Sequence, residues 1–163
     1  MAVTTQNSAE YTNRIATPLV TADAVNDKGK LRTLTFTHDQ DGAGDAGSIV
    51  VLGKLPAGKV KIIGGLSRFY CNWTAGSNTM DIGWEAYTDA DGAAVAVDVD
   101  GMVDNLNIDT AGYFTMEGNT AATKLLGGNA TFSSKEGVVI TAKSIGALAD
   151  DDDLAGVITY IVD

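Results

Sequence analysis

The chain has little of several things. Among its 163 residues there is one cysteine, Cys71, one histidine, His38, and two prolines. A single cysteine cannot close a disulfide within the chain, and one cysteine with one histidine cannot assemble a Cys/His zinc site. Nowhere do about 18 apolar residues run together, so no membrane-spanning helix is expected. The opening "MAVTTQNSAEYTNR" lacks both the basic start and the apolar stretch of a signal peptide. A chain made in the cytoplasm, without export or membrane contact, is the expectation. The sequons at Asn72 and Asn129 carry no weight in such a chain.

Positive charge is also scarce: 11 Lys and Arg stand against 21 Asp and Glu, for a net charge of −10. Affinity for nucleic acid rests on cations displacing the counterions of phosphates, so DNA and RNA are not expected partners. The imbalance is uneven. Residues 1–68 hold eight cations and six carboxylates, whereas residues 69–163 hold three and fifteen.

What is abundant is glycine, at nineteen residues, together with short runs of Val, Ile and Thr. These runs cover residues 31–37, 48–55, 59–73, 78–88, 130–135, 137–145 and 156–163, each bounded by Gly, Asp, Asn or Pro. Runs of that length without long helical patterns between them predict an all-β fold, a single jelly-roll-like β-sandwich. In the fourth run Met80, Ile82, Trp84 and Ala86 fall on one face and Thr79, Asp81, Gly83 and Glu85 on the other, which predicts one buried and one wet side. The last run is apolar on both sides and predicts an inner strand. "LPAGKV" (55–60) places Pro and Gly for a turn between two strands. Residues 97–112 break the pattern and read as a short helix or a wide loop. Residues 1–30 show no sustained period and read as an extended N-terminal arm on a domain spanning 31–163.

Motifs that could carry chemistry are present only in fragments. Gly42, Gly44 and Gly47 reproduce the spacing of a dinucleotide-binding loop, but that loop must follow a buried strand and open a helix. Here "THDQD" precedes the glycines and the strand-like "SIVVLGKL" follows, while Asp39, Asp41 and Asp45 would repel a diphosphate. No cofactor is expected. In "YTDADGAAVAVD", aligning Gly92 with the glycine of a calcium loop places Asp89 and Asp91 correctly but puts Tyr87 at the first ligand position, so a hairpin turn is the better reading. The four consecutive aspartates of "ALADDDDLAG" (147–156) predict a solvated loop. No G-x-S-x-G elbow accompanies His38, which reads as a surface residue, and Cys71 in its apolar run reads as buried packing. No catalytic residue, and no enzyme, is expected. Trp84 is expected in the core. Trp73 and Tyr87 remain open as stacking residues for a sugar ring, which makes a carbohydrate- or receptor-binding sandwich the alternative function.

"VVLGKLPAGKVKIIGGLSRFYCNW", "MDIGWEAYTDADGAAVAVDVDGMVDNLNIDTAG" and "EGVVITAKSIGALADDDDLAGVITYIVD" resemble, in order and spacing, a family of small virion structural proteins of tailed bacteriophages. The shared features are an LG-LP-G turn, a D-IG-(aromatic)-x-AY-D-DG stretch, an acidic D-x-D-x-(F/M)-V-D-x-L segment and a closing G-x-I-x-Y-x-V-D strand. The resemblance covers about residues 48–163. It implies a capsid decoration or cement protein, often trimeric, bound to the major capsid protein on the outer surface of the virion and tying capsomers together. Within the arm, Ile15, Leu19 and Val25 supply apolar beads and Lys28, Lys30 and Arg32 a basic cluster; these six are the expected partner contacts, reached by an extended segment that gains order by wrapping a partner.

Overall fold

The computed structural model describes residues 3–8, 11, 12, 15–17, 31–73, 78–118 and 128–162, and the structural statements that follow concern these. Thirteen strands are formed: β1 (Thr5–Asn7), β2 (Leu31–Asp39), β3 (Ile49–Lys54), β4 (Gly58–Ile62), β5 (Arg68–Cys71), β6 (Thr79–Trp84), β7 (Tyr87–Thr88), β8 (Ala94–Val95), β9 (Asp98–Asn107), β10 (Gly112–Thr115), β11 (Ala130–Ser134), β12 (Val139–Ser144) and β13 (Asp153–Val162). The first sheet has the order β1-β3-β12-β6-β9. The second is built on β13, with β2 along one side and β5 followed by β4 along the other; β10 and β11 extend it outward.

Most successive strands cross from one sheet to the other, β6 and β9 being neighbours in the first. Counting β2, β3, β5, β6, β9, β10, β12 and β13 as strands one to eight, the sheets read 2-7-4-5 and 1-8-3-6, which is the interleaving of a jelly roll. The all-β sandwich expected from the sequence is thus the fold. Period-2 alternation turns Leu34 and Phe36 of β2, Phe69 and Cys71 of β5, Met80 and Ile82 of β6, and Ile140 and Ala142 of β12 into one core between the sheets. Each large apolar side chain buried there contributes about 1.5–3 kcal/mol relative to exposure.

Three local expectations need correction. The run 59–73 is two strands, because Gly64–Leu66 form a 3₁₀ turn and β4 and β5 then pair in succession with the same edge of β13. A Cβ on Gly64 would collide with the carbonyl oxygens of Met116 and Gly128, so glycine is required where the chain steps aside. Residues 97–112, read as a helix or loop, contain the ten-residue edge strand β9. Its register against β6 shifts on either side of Ile82, and Asn105 has φ 50°, so the adjacent Met102 and Val103 are both buried and the alternation is lost. Asp81, placed on the wet face, is instead buried between β12 and β9. There it accepts the Asn105 N–H at 2.9 Å, and its burial raises its pKa, an effect opposed by that bond and by Lys143.

The start of the arm belongs to the chain's own first sheet. Thr5–Asn7 pair in parallel with Ile49–Val51. Ser8, fully buried, donates its N–H to Val51 O at 2.8 Å and its hydroxyl to Leu52 O at 2.9 Å. Its hydroxyl oxygen also accepts the Tyr11 N–H at 3.2 Å. Ile15 is exposed, Arg32 lies in β2, and Leu19, Val25, Lys28 and Lys30 fall outside the described residues.

Candidate interaction surface

The residues that could carry chemistry are scattered, and most are engaged in structure. His38 is not a surface residue: it follows Leu34 and Phe36 on the inward side of β2, is 8% exposed, and lies with Nε2 3.3 Å from Gln40 Oε1. Burial holds its pKa below the ordinary histidine value, with the Gln40 contact acting in the other direction. Cys71 is fully buried as expected, and desolvation pushes its thiol up to about 12. A thiol so protonated is a poor nucleophile.

The glycine-rich loop leads into strand β3, as its flanks predicted, and binds the acidic loop. Gly44 and Leu148 exchange backbone hydrogen bonds at 3.0 and 2.9 Å. The Gly42 N–H donates to Asp150 Oδ1 at 2.7 Å, and Gly42 and Gly47 adopt φ 71° and 88°. The aspartate run is therefore more than a solvated loop. Asp152 is buried and accepts the Ala149 N–H at 2.7 Å, with burial raising its pKa against the effect of that bond. Asp89 closes the β7–β8 hairpin by accepting the Ala93 N–H at 2.7 Å, and Gly92 has φ 94°, which makes this D-x-D-G segment the turn it was read as. Among the described residues, no group of three or more His, Cys, Asp or Glu side chains is placed to hold a metal ion. No helix among them is long and apolar enough to cross a membrane.

The aromatic residues considered for sugar stacking are buried in the core or half-buried against it. Trp73 is 0% exposed, so the strand-end position left open in the sequence is core. Trp84 and Tyr87 pack edge-on against Phe132, at 5.2 and 6.1 Å between ring centroids. The exposed ring is another one. Tyr113 on β10 is 78% exposed and lies 5.4 Å from the ring of Tyr70 on β5.

These two tyrosines belong to the outer face of the second sheet, which is an open surface among the described residues. A hollow of about 370 Å³ is lined by Arg68, Tyr70, Tyr113, Ala155 and Val157 among others. Beside it, sharing Tyr70 and Ala155, lies a second of about 510 Å³ bounded by Thr37, Asp39 and Asp153 and by Gln6 and Asn7 of β1. A third, of about 340 Å³, lies among Lys59, Lys61, Thr131 and Ile161. None of these outward residues stands out in the sequence except through strand period: in "GKVKI" the lysines alternate with the buried Val60 and Ile62, and in "RFYC" Arg68 and Tyr70 alternate with Phe69 and Cys71.

The structure thus defines a jelly-roll sandwich with a broad exposed sheet face. No protein-family model matches the chain, and no curated protein matches it significantly. Among solved structures, a chain of the capsid of Ralstonia phage GP4 shares the fold from end to end. The TM-score is 0.58 at 16% identity, over 100% of this chain and 99% of that one. A chain of infectious bursal disease virus, Gt strain, gives a TM-score of 0.46 at 10% identity and is covered over 32% of its length by 84% of this chain.

Proposed function

We propose that the chain is a non-enzymatic structural protein of a virion, and specifically a decoration or cement protein on the outside of a tailed-phage head. The observation that carries the reading is the end-to-end match in fold with a chain of a phage capsid, each covered almost entirely by the other. A shared fold alone leaves function open. The sequence motifs of a phage virion family, found independently of the fold, add to it. The role needs only surfaces, and the chain supplies an open sheet face together with an arm whose Ile15, Leu19, Val25, Lys28, Lys30 and Arg32 are the proposed contacts to the major capsid protein. Bridging of capsomers follows if one copy touches two of them. An acidic chain is also better suited to the outside of a particle than to contact with packaged DNA.

The test is reconstitution. Purified chain is mixed with heads that lack it, and binding and the melting temperature of the particle are measured. Saturable binding at ordered sites with a raised melting temperature is expected, as mass action requires of a ligand of the assembled state. Absence of binding to the heads of the virus that encodes it would sink the proposal. Deleting residues 13–25, which leaves β1 and Ser8 in place, is expected to weaken that binding without altering the circular dichroism of the β domain.

A further inference from the structure

We infer that the outer face of the second sheet pairs with the same face of a second copy of the chain, about a two-fold axis running across the strands. Along β13 this face changes character in a fixed order. It begins with Asp153, directly opposite Asp39 of β2, both exposed. Next come Ala155, beside Tyr70 with its neighbour Tyr113, and then Val157, beside Arg68. It ends at Ile161, beside Lys61, with Lys59 beyond. From Asp153 to Ile161 is about 26 Å of extended chain. One end is acidic, the other basic, and the middle is aromatic and aliphatic.

Like charges directly opposite one another weaken a sheet, and the Asp39–Asp153 pair has its cationic complement on the same face, one strand length away. A face of this kind is complementary to itself when reversed. A two-fold interface presents the same patch from both partners, so that residue i meets j and j meets i. With the axis level with Gly156, Asp153 of each chain falls opposite Thr159 of its partner, and the nearest cation there, Lys61, lies one strand across and two positions along, about 8 Å in the plane of the sheet, a span the two side chains bridge. Tyr70 of each then stands against Arg68 of the other, the arrangement of a cation–π contact. Tyr113, Ala155 and Val157 are covered in the middle. Among the described residues the first sheet offers less of such a surface, because its central outward residues Val51, Asp81 and Thr141 are already buried, whereas along β13 only Thr159, which donates to Leu66 O at 3.0 Å, is. This goes beyond the proposed virion role, and assigns the chain a two-fold where the family resemblance implied a three-fold. It is read in free solution, so its failure is distinct from failure to bind a head.

The experiment is sedimentation velocity on the full chain over a range of concentration and salt, repeated on Lys61→Glu and Asp153→Lys. The wild type is expected to form dimers that weaken as salt rises. Each single charge reversal is expected to weaken dimerisation about tenfold or more by placing like charges together. An equimolar mixture of the two variants is expected to recover it, since the carboxylate introduced at position 61 of one then faces the ammonium introduced at position 153 of the other. Circular dichroism shows whether each variant is folded, and Tyr113→Ala, at a largely exposed ring, gives a second disruption independent of charge. A wild type that stays monomeric at every concentration, a wild-type trimer, or folded variants that associate no better mixed than alone would each overturn the pairing.

Discussion

At the residue scale, what the sequence shows is set by how far a side chain's fate depends on its immediate neighbours. Cys71 reads correctly because Phe69 and Cys71 alternate in an apolar run, and the fully buried thiol follows. Cys71→Ser is expected to cost about 1–3 kcal/mol, the range for burying a poorly partnered hydroxyl, read from urea unfolding. His38 and Asp152 are misread because both sit in polar stretches, and their burial comes from partners more than a hundred residues away in sequence, across the β2–β13 pairing. Gly83 carries no local signal at all, yet a Cβ there would strike the backbone of Asp98 and Val99 on β9. Gly83→Ala is expected to destabilise by about 1–3 kcal/mol or more through overpacking against a backbone that cannot yield freely, whereas alanine at Gly112, where the nearest atom is 3.9 Å away, is expected to cost far less. Asp152 allows a sharper test. A folded pKa raised by burial means the native state holds its proton to higher pH than the unfolded chain, so the associated stability is present below the unfolded pKa of about 3.9 and is lost as pH rises through the folded value. Asp152→Asn keeps an oxygen for the Ala149 N–H and removes the titration. The melting temperature of the variant relative to wild type is therefore expected to rise between about pH 4 and pH 7; a constant difference would show that Asp152 does not titrate as its burial implies.

At the scale of elements, strands that keep strict alternation and regular pairing were legible, and those that bulge were not. β13 reads as an inner strand because both its faces are apolar, and it is flanked by strands on both sides. β9 was invisible as a strand because two register shifts and one left-handed residue bring consecutive side chains to the same side. The break between β4 and β5 left only the glycine pair Gly64–Gly65 as a trace, which also suits a bulge inside one longer strand. The parallel strand β1 left less still, since three polar residues, Thr-Gln-Asn, carry no apolar period, and their placement is decided by the free edge of β3. What fixes β1 is Ser8, whose hydroxyl donates to Leu52 O in a fully buried position. Ser8→Ala leaves that carbonyl with one partner fewer, and a loss of about 1–3 kcal/mol is expected in denaturant unfolding. An unchanged midpoint would mean that β1 is held by its backbone bonds alone.

At the scale of the whole molecule, the sequence showed that charge is unevenly placed but not how. The tally of residues 1–68 against 69–163 suggested a basic and an acidic portion; in the fold Lys59, Lys61 and Arg68 gather on one sheet face that also carries Asp39 and Asp153 at its far end. Polarity therefore runs along a face and not between two halves of the chain, because a jelly roll interleaves distant segments in each sheet. The open surface was illegible for the same reason: Tyr70 and Tyr113 are 43 positions apart and meet only through the β5–β10 pairing. The interleaving also sets where stability resides. β13 contacts β2, β4 and β5, so its backbone cannot open without undoing most of the second sheet, whereas β7 and β8 form a two-stranded ribbon whose Thr88 carbonyl accepts one further bond, from the Lys135 N–H at 3.2 Å. Native-state hydrogen exchange is expected to show this division. Among amides in the strand ladders, those of β13 are expected to exchange only through global unfolding, with protection that falls with denaturant at the full equilibrium slope. The β7–β8 amides are expected to exchange by local opening, with little dependence on denaturant. Were β13 to exchange by local opening as well, the second sheet would not behave as one cooperative unit around it, and the long-range pairing of β2 with β13 would contribute less to the fold than its nine paired positions indicate.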